Sequence, residues 1–223
     1  MTRRKVDLTL TILLESPLHI GTGYGHAGYL DAVMTTDAQG LPYVPGASLK
    51  GRLRFYARQL QPLLADAQTA ESTLFGSPDE GGALFFDNCA LTPHWRELLA
   101  PLLKETNASA AARSRFPALS QRQSNGMLSR LRGVALERRL FTVEGAPPHL
   151  AFAGDIHGHL EDGGHLSNGY PSALCLLVAA IRACDHLGGR KSRGLGRCRL
   201  EISSLTLDDN AIDPPQKLLE ALV

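Results

Sequence analysis

Residues 6–14, VDLTLTILL, alternate apolar and polar side chains with a period of two, and directly behind them the chain reads PLHIGTGYGHAGYL. Such alternation is the pattern of a half-buried strand, so the chain opens by committing itself to a sheet with one covered face. The glycines behind the strand govern how the backbone leaves that sheet. Gly21, Gly23, Gly25 and Gly28 allow a tight turn and a close approach to a ligand. Asp31 and Asp37 come next on an extended segment, and Pro45-Gly46 makes a corner. Ser48 then occupies the N-cap of a helix predicted over 48–64, which carries Lys50, Arg52, Arg54 and Arg58. Glycines facing a basic helix point to a polyanionic partner.

The remaining segments fill out the architecture. A short helical piece at 71–75 runs into the turn Gly76-Ser77-Pro78, and GALFFDNCALT (82–92) reads as a strand. A short helix follows over 95–103. The polar, Ser/Ala/Arg-rich stretch 104–133 reads as a flexible projecting arm, left through a strand at 134–143 and broken by Pro147-Pro148. LAFAGDIHGHLE (150–161) alternates again as a core strand, 171–186 is a strongly apolar helix, and CRLEISSLTL (198–207) closes the chain as a strand. Strand, helix, strand, insertion, strand, helix, strand predicts an α+β, ferredoxin-like core with helices on one face. The expected organisation is one domain over 1–223, with the arm inserted at about 104–148.

Composition excludes some classes and sharpens others. A hydrophobic content of 43% in 223 residues supports a proper core, and no apolar run has bilayer length. The charged, alternating N-terminus lacks a small-residue cleavage site and reads as a first strand rather than a signal peptide. Cys89, Cys175, Cys184 and Cys198 lie far apart without a CxxC pair, as free buried thiols of a reducing cytoplasm would. The net charge is only +1, yet 19 of the 23 basic residues fall in four short blocks: residues 3–5, 50–58, 113–139 and 186–199. One block alone is equally a solvated helix face, whereas several beside glycines describe the footprint of a nucleic-acid binder.

Two nucleotide-binding motifs fail. GTGYG (21–25) has its third glycine misplaced and leads into extended chain rather than a helix, and no GxxxxGK[ST] occurs. GGRKSRGLGR (188–197) lies between the apolar helix and the closing strand. There glycines would free backbone N–H groups for phosphates while Arg190, Lys191, Arg193 and Arg197 neutralise charge, with a plain charged turn as the alternative. His19, at the end of the first strand, either contacts RNA or caps the strand. His149, His157, His159 and His165 raise zinc against ordinary turn and strand histidines.

LHIGTG (18–23), YLDAVMTTDAQGLPYVPGASLKGRLR (29–54), LFGS (74–77), RLRGVALERR (130–139), LFTVEGAPPHLAFAGDIHGHL (140–160) and GGRKSRGLGR (188–197) occur in this order across nearly the whole chain. In these motifs the sequence resembles the RAMP superfamily, and most closely the backbone subunits of type III CRISPR effector complexes of the Csm and Cmr kind. The resemblance implies an RRM-like variant of the ferredoxin plan with a thumb-like arm. It also implies a prokaryotic, cytoplasmic protein assembling in repeated copies along a CRISPR RNA guide, beside other type III subunits and away from membranes. Asp31 falls where active members carry an aspartate for cleavage of target RNA, so it is expected to be catalytic and to bind a divalent metal, Mg2+ or Mn2+. Asp37 suits a turn at Ala38-Gln39-Gly40 better than chemistry. The guide path is expected at His19, Gly21, Gly23 and Ser48, at Lys50, Arg52 and Arg54, and at Arg130 and Arg132. It continues at Arg190, Lys191, Ser192, Arg193 and Arg197. Few aromatics near these blocks fit a grip on the RNA backbone, with sequence left to base pairing. A non-catalytic architectural subunit and a metal-independent repeat-RNA processing endonuclease stay open beside this reading.

Overall fold

The computed structural model describes residues 3–25, 30–63, 70–104, 120–128, 132–161, 169–215 and 217–220. Strand β1 (Arg3–Leu14) is followed by helices α1 (Gly46–Leu60) and α2 (Ala70–Phe75), strands β2 (Leu84–Phe86) and β3 (Ala90–Leu91), and helix α3 (Pro93–Lys104). Then come strands β4 (Gln121–Leu128), β5 (Ala135–Gly145) and β6 (Ala151–Glu161), helix α4 (Ser172–Ala183), strands β7 (Cys198–Leu207) and β8 (Asn210–Ala211), and helix α5 (Lys217–Glu220). The main sheet is ordered β2-β6-β1-β7-β8 with β3 also on β6, and its pairings are antiparallel. With α1 and α4 as the connections, β1, β2, β6 and β7 stand in the order of a β-α-β-β-α-β plan, so the fold is α+β as expected.

Alternation in β1 fixes the register of the whole sheet. Val6, Leu8, Leu10, Ile12 and Leu14 are buried in one core with the apolar residues of α1 and α4. A slip of one residue would turn this entire set to solvent. Asp7, Thr9 and Thr11 lie on the opposite face, where Thr9 donates to Asp155 at 2.7 Å, and Thr11 meets Ser203 at 2.9 Å. Phe85, at the edge of that face, stacks on His157. Helix α4 packs against α1, α2, α5 and β7. It is apolar nearly all round because nearly all of it is covered, with only Ala179, Arg182 and Ala183 short of full burial.

Three expectations need correction. Helix α1 begins at Gly46, and its N-cap is Pro45 rather than Ser48, since Pro45 O accepts the N–H groups of Ser48 and Leu49. Gly46 is required there: a Cβ would sit 2.0 Å from Phe86 O. The single strand predicted over 82–92 is two, because the chain leaves β6 to exchange both backbone hydrogen bonds between Cys89 and Val44. The described part of the arm is not irregular: β4 and β5 form a separate antiparallel hairpin. QRQSNGML carries no β-branched or aromatic residue, so its strand character comes from its partner rather than from propensity. A two-stranded hairpin is marginal alone, and this one is tied at its base by the bridges Leu18–Ala146 and Ala32–Val143.

All four cysteines are free and buried. Burial pushes the Cys89 thiol up to about 12 and that of Cys184 up to about 11, so neither offers a thiolate nucleophile.

Candidate nucleic-acid interface

The chain beyond β1 runs straight into the base of the hairpin. Leu18 and Ala146 exchange backbone hydrogen bonds, and the next residue, His19, is buried. Its Nδ1–H donates to Glu144 O at 2.5 Å, which sets the tautomer. Burial, and secondarily Arg190, lowers the His19 pKa, so the ring is neutral near neutral pH. His19 is therefore a packed support for the site.

Glu144 organises this junction, and sequence reading missed it. It is only 7% exposed, yet it is fully engaged: Oε2 accepts Met34 N–H at 3.1 Å and Oε1 accepts the Ser120 hydroxyl at 2.6 Å. Its backbone N–H donates to Ala32 O at 3.0 Å. One buried residue thus ties β1's extension, through its carbonyl, and the Asp31 segment and Ser120, through its carboxylate, to the hairpin. The available signal was a lone acid inside the apolar run LFTVEG.

The glycine loop after β1 closes on the segment carrying Asp31. Gly21 bridges Met34, Thr22 N–H donates to Val33 O, Val33 N–H donates to Tyr24 O, and Gly23 takes φ 85°. The Asp31 segment then lies along β5. Asp31 N–H donates to Thr142 O at 2.9 Å, and Thr142 N–H donates to Asp31 Oδ2 at 2.7 Å, which fixes the exposed carboxylate. Asp37 caps its own turn, accepting Gln39 and Leu41 N–H groups at 2.9 Å each.

Among the described residues no group of three or more His, Cys, Asp or Glu side chains could hold a metal ion. That statement covers His149, His157 and His159, whereas His165 lies outside the described residues. Mg2+ commonly takes one or two carboxylates and completes its shell with phosphate oxygens and water. An exposed single carboxylate at Asp31 fits that mode, not a closed protein cage.

The basic blocks divide into engaged and unengaged side chains. Arg54 pairs with Glu71 and donates to Gly76 O at 2.8 Å, and Arg58 reaches the same Glu71 at 3.1 Å. Arg54 is therefore anchored within the protein. Arg52 donates to His186 O at 2.9 Å, Arg197 pairs with Glu15 at 2.8 Å, and Lys191 reaches Asp185 at 3.6 Å. Lys50 lies 5.9 Å from the Phe86 ring centroid. Arg190 and Arg193 differ: they lie 4.7 and 4.4 Å from the centroid of Phe141 on β5, and neither has a carboxylate partner among the described residues. Ser192 and Arg132 are exposed and Ser48 is half-buried, while Arg130 lies outside the described residues.

The glycines of the 188–197 loop do a different job from the expected one. Three of the four N–H groups are bonded within the protein: Gly189 to His19 O, Gly194 to Lys191 O and Gly196 to Pro17 O. A Cβ on Gly188 would lie 2.4 Å from His19 O, and one on Gly196 would lie 1.9 Å from Leu187 O. Gly188 and Gly196 let the loop press against 17–19 and 187, and the side chains of Lys191, Arg193 and Arg197 are exposed. Asp185 at the loop's start accepts the Tyr56 hydroxyl. That bond, then His186, holds the Asp185 carboxyl well below the usual carboxylate range. Burial and the same partner push the Tyr56 phenol up to about 12.

The arrangement places two loop arginines without carboxylate partners among the described residues and a pinned, exposed carboxylate on either side of one strand, a geometry suited to a phosphodiester chain. Two cryo-EM chains of type III-B Cmr-beta share the fold. That of the apo state has a TM-score of 0.61 at 13% identity, covering 88% of this chain and 97% of the other. That of the complex bound to cognate target RNA has a TM-score of 0.62 at 13% identity, covering 88% and 96%. No curated protein matches the sequence. A family model described as RAMP superfamily matches residues 11–199. The chain belongs to the RAMP superfamily.

Proposed function

We propose that this chain is a guide-RNA-binding backbone subunit of a cytoplasmic type III CRISPR effector complex. It assembles as repeated copies with other subunits along a CRISPR RNA and cuts complementary target RNA at Asp31. The observation that carries this reading is the placement of Arg190 and Arg193 over Phe141, one residue from the Thr142 amide that holds Asp31. Guanidinium groups without carboxylate partners suit guide phosphates, and a grip on phosphates leaves sequence to base pairing. The similarity to type III-B chains and the family membership support the same reading.

Asp31 does one job in the chemistry. Its carboxylate, fixed by Thr142 N–H, presents negative oxygen at the surface where a target phosphate would lie. A divalent ion there would polarise the phosphoryl group and lower the pKa of bound water. The lone carboxylate equally favours a second reading, an architectural subunit that binds guide and neighbours and cuts nothing. Reconstituted complex carrying Asp31→Ala decides: guide and target binding are kept, and the regularly spaced target cuts made with Mg2+ are lost about 100-fold or more. Cutting at the wild-type rate overturns the catalytic assignment, and absence of cutting in the wild type supports the architectural one.

A further inference from the structure

Phe141 sits where the two halves of the site meet. The residue after it holds Asp31 through its backbone, and its ring takes the guanidinium groups of Arg190 and Arg193 at 4.7 and 4.4 Å. The loop is shaped for this contact. Arg190 is in the left-handed region at φ 64°, a conformation uncommon for a non-glycine residue that persists only where its surroundings enforce it. Gly194, at φ 77°, ends the 3-10 turn over Lys191–Arg193 that sets the second arginine one turn from the first. Between them, Lys191 leans to Asp185 instead of the ring.

Two cations converging on one ring repel each other, and no described carboxylate relieves them. A guanidinium on an aromatic face keeps its N–H edge available for a planar, bidentate acceptor, so stacking orders the fork without consuming its donors. From this geometry we infer that Phe141 is a positioning residue for guide-RNA binding. It holds Arg190 and Arg193 as one preorganised fork for phosphate oxygens of the guide, and rests on the guide-binding reading above. Ordering long side chains in advance removes an entropic cost that flexible lysines would meet on binding. The ring itself touches no phosphate in this scheme.

The test uses full-length chain, a fluorescein-labelled single-stranded guide RNA, and four variants: Phe141→Leu, Phe141→Trp, the double change Arg190→Lys/Arg193→Lys, and the triple combination with Phe141→Leu. Phe141→Leu is expected to weaken guide binding about tenfold, and Phe141→Trp to restore it, because tryptophan is the better cation acceptor. The lysine pair keeps both charges but not the planar stack. Phe141→Leu should therefore cost less than about twofold more in the lysine background. A full tenfold loss in both backgrounds makes Phe141 a hairpin-packing residue and overturns the inference. In RNA-free protein, the ring-current-shifted Nε–H resonances of the two arginines should return to ordinary values in Phe141→Leu. Unshifted wild-type resonances overturn the inference even if Phe141→Leu fails to fold. Wild-type chain that binds no guide RNA overturns the guide-binding reading and this inference with it. Wild-type binding that Phe141→Leu leaves unchanged overturns only the inference.

Discussion

The basic helix α1 and the basic loop 188–197 look alike in sequence, each a run of arginines and a lysine with no acid inside it, yet the fold treats the arginines at their centres in opposite ways. In α1, Arg54 and Arg58 converge on Glu71 of α2, and Arg52 is bonded to the His186 carbonyl. In the loop, Arg190 and Arg193 lie over an aromatic ring and have no carboxylate partner among the described residues. The difference arises because α1 packs against α2, which brings an acid 17 residues away in sequence to Arg54, while the loop lies against the hairpin, whose facing residue is Phe141. Local charge density therefore says little about which cations are available to a polyanion. What matters is whether tertiary packing has already supplied a counter-charge.

This contrast can be broken by experiment. The largest effect is expected from Arg190→Ala/Arg193→Ala, which should weaken guide binding on the order of 100-fold at low salt and reduce the salt slope by about 1.4, some 0.7 for each phosphate left without its cation. An unchanged slope would remove the loop from the RNA path. Arg54→Ala is expected to leave affinity and slope alone but to lower stability by about 1–2 kcal/mol, since its loss leaves Glu71 short of a partner. Denaturant titration and the same binding assay separate the two outcomes, and a slope change in Arg54→Ala would return that residue to the guide path.

The smallest expected effect concerns the support beneath the loop. The folded pKa of His19 is lowered, so the unfolded chain takes up the proton first. Its contribution is complete above the ordinary histidine value of about 6.5 and is lost as pH falls below it. The Tm of the wild type should thus drop slightly more between pH 7 and 5 than that of His19→Gln. Parallel Tm profiles would mean that the imidazole is not held neutral.

Much of the frame was legible from short-range pattern. The period-two runs at 6–14, 150–161 and 198–207 became β1, β6 and β7, and the apolar run after Pro171 became α4, because burial on one face or on all faces leaves a direct mark on composition. The hairpin strand β4 left no such mark, since polar residues at 121–128 gain their conformation from pairing with β5. The site was legible in part. Asp31, Arg190 and Arg193 stood out by residue type and motif, whereas Glu144 and Phe141 did not, as their roles exist only once β5 lies between the Asp31 segment and the 188–197 loop.

By itself, then, the sequence determined the sheet's central strand, its covered face, the tight turns at its glycines and the chemistry that could be offered to a polyanion. Tertiary structure alone decided which cations are neutralised, which histidine is buried, and which carboxylate is pinned at the surface. The physical reason is that pattern and propensity act over a few residues, while a counter-charge, a ring face or a backbone amide arrives from other elements of the fold, as Thr142 does for Asp31, 111 residues away.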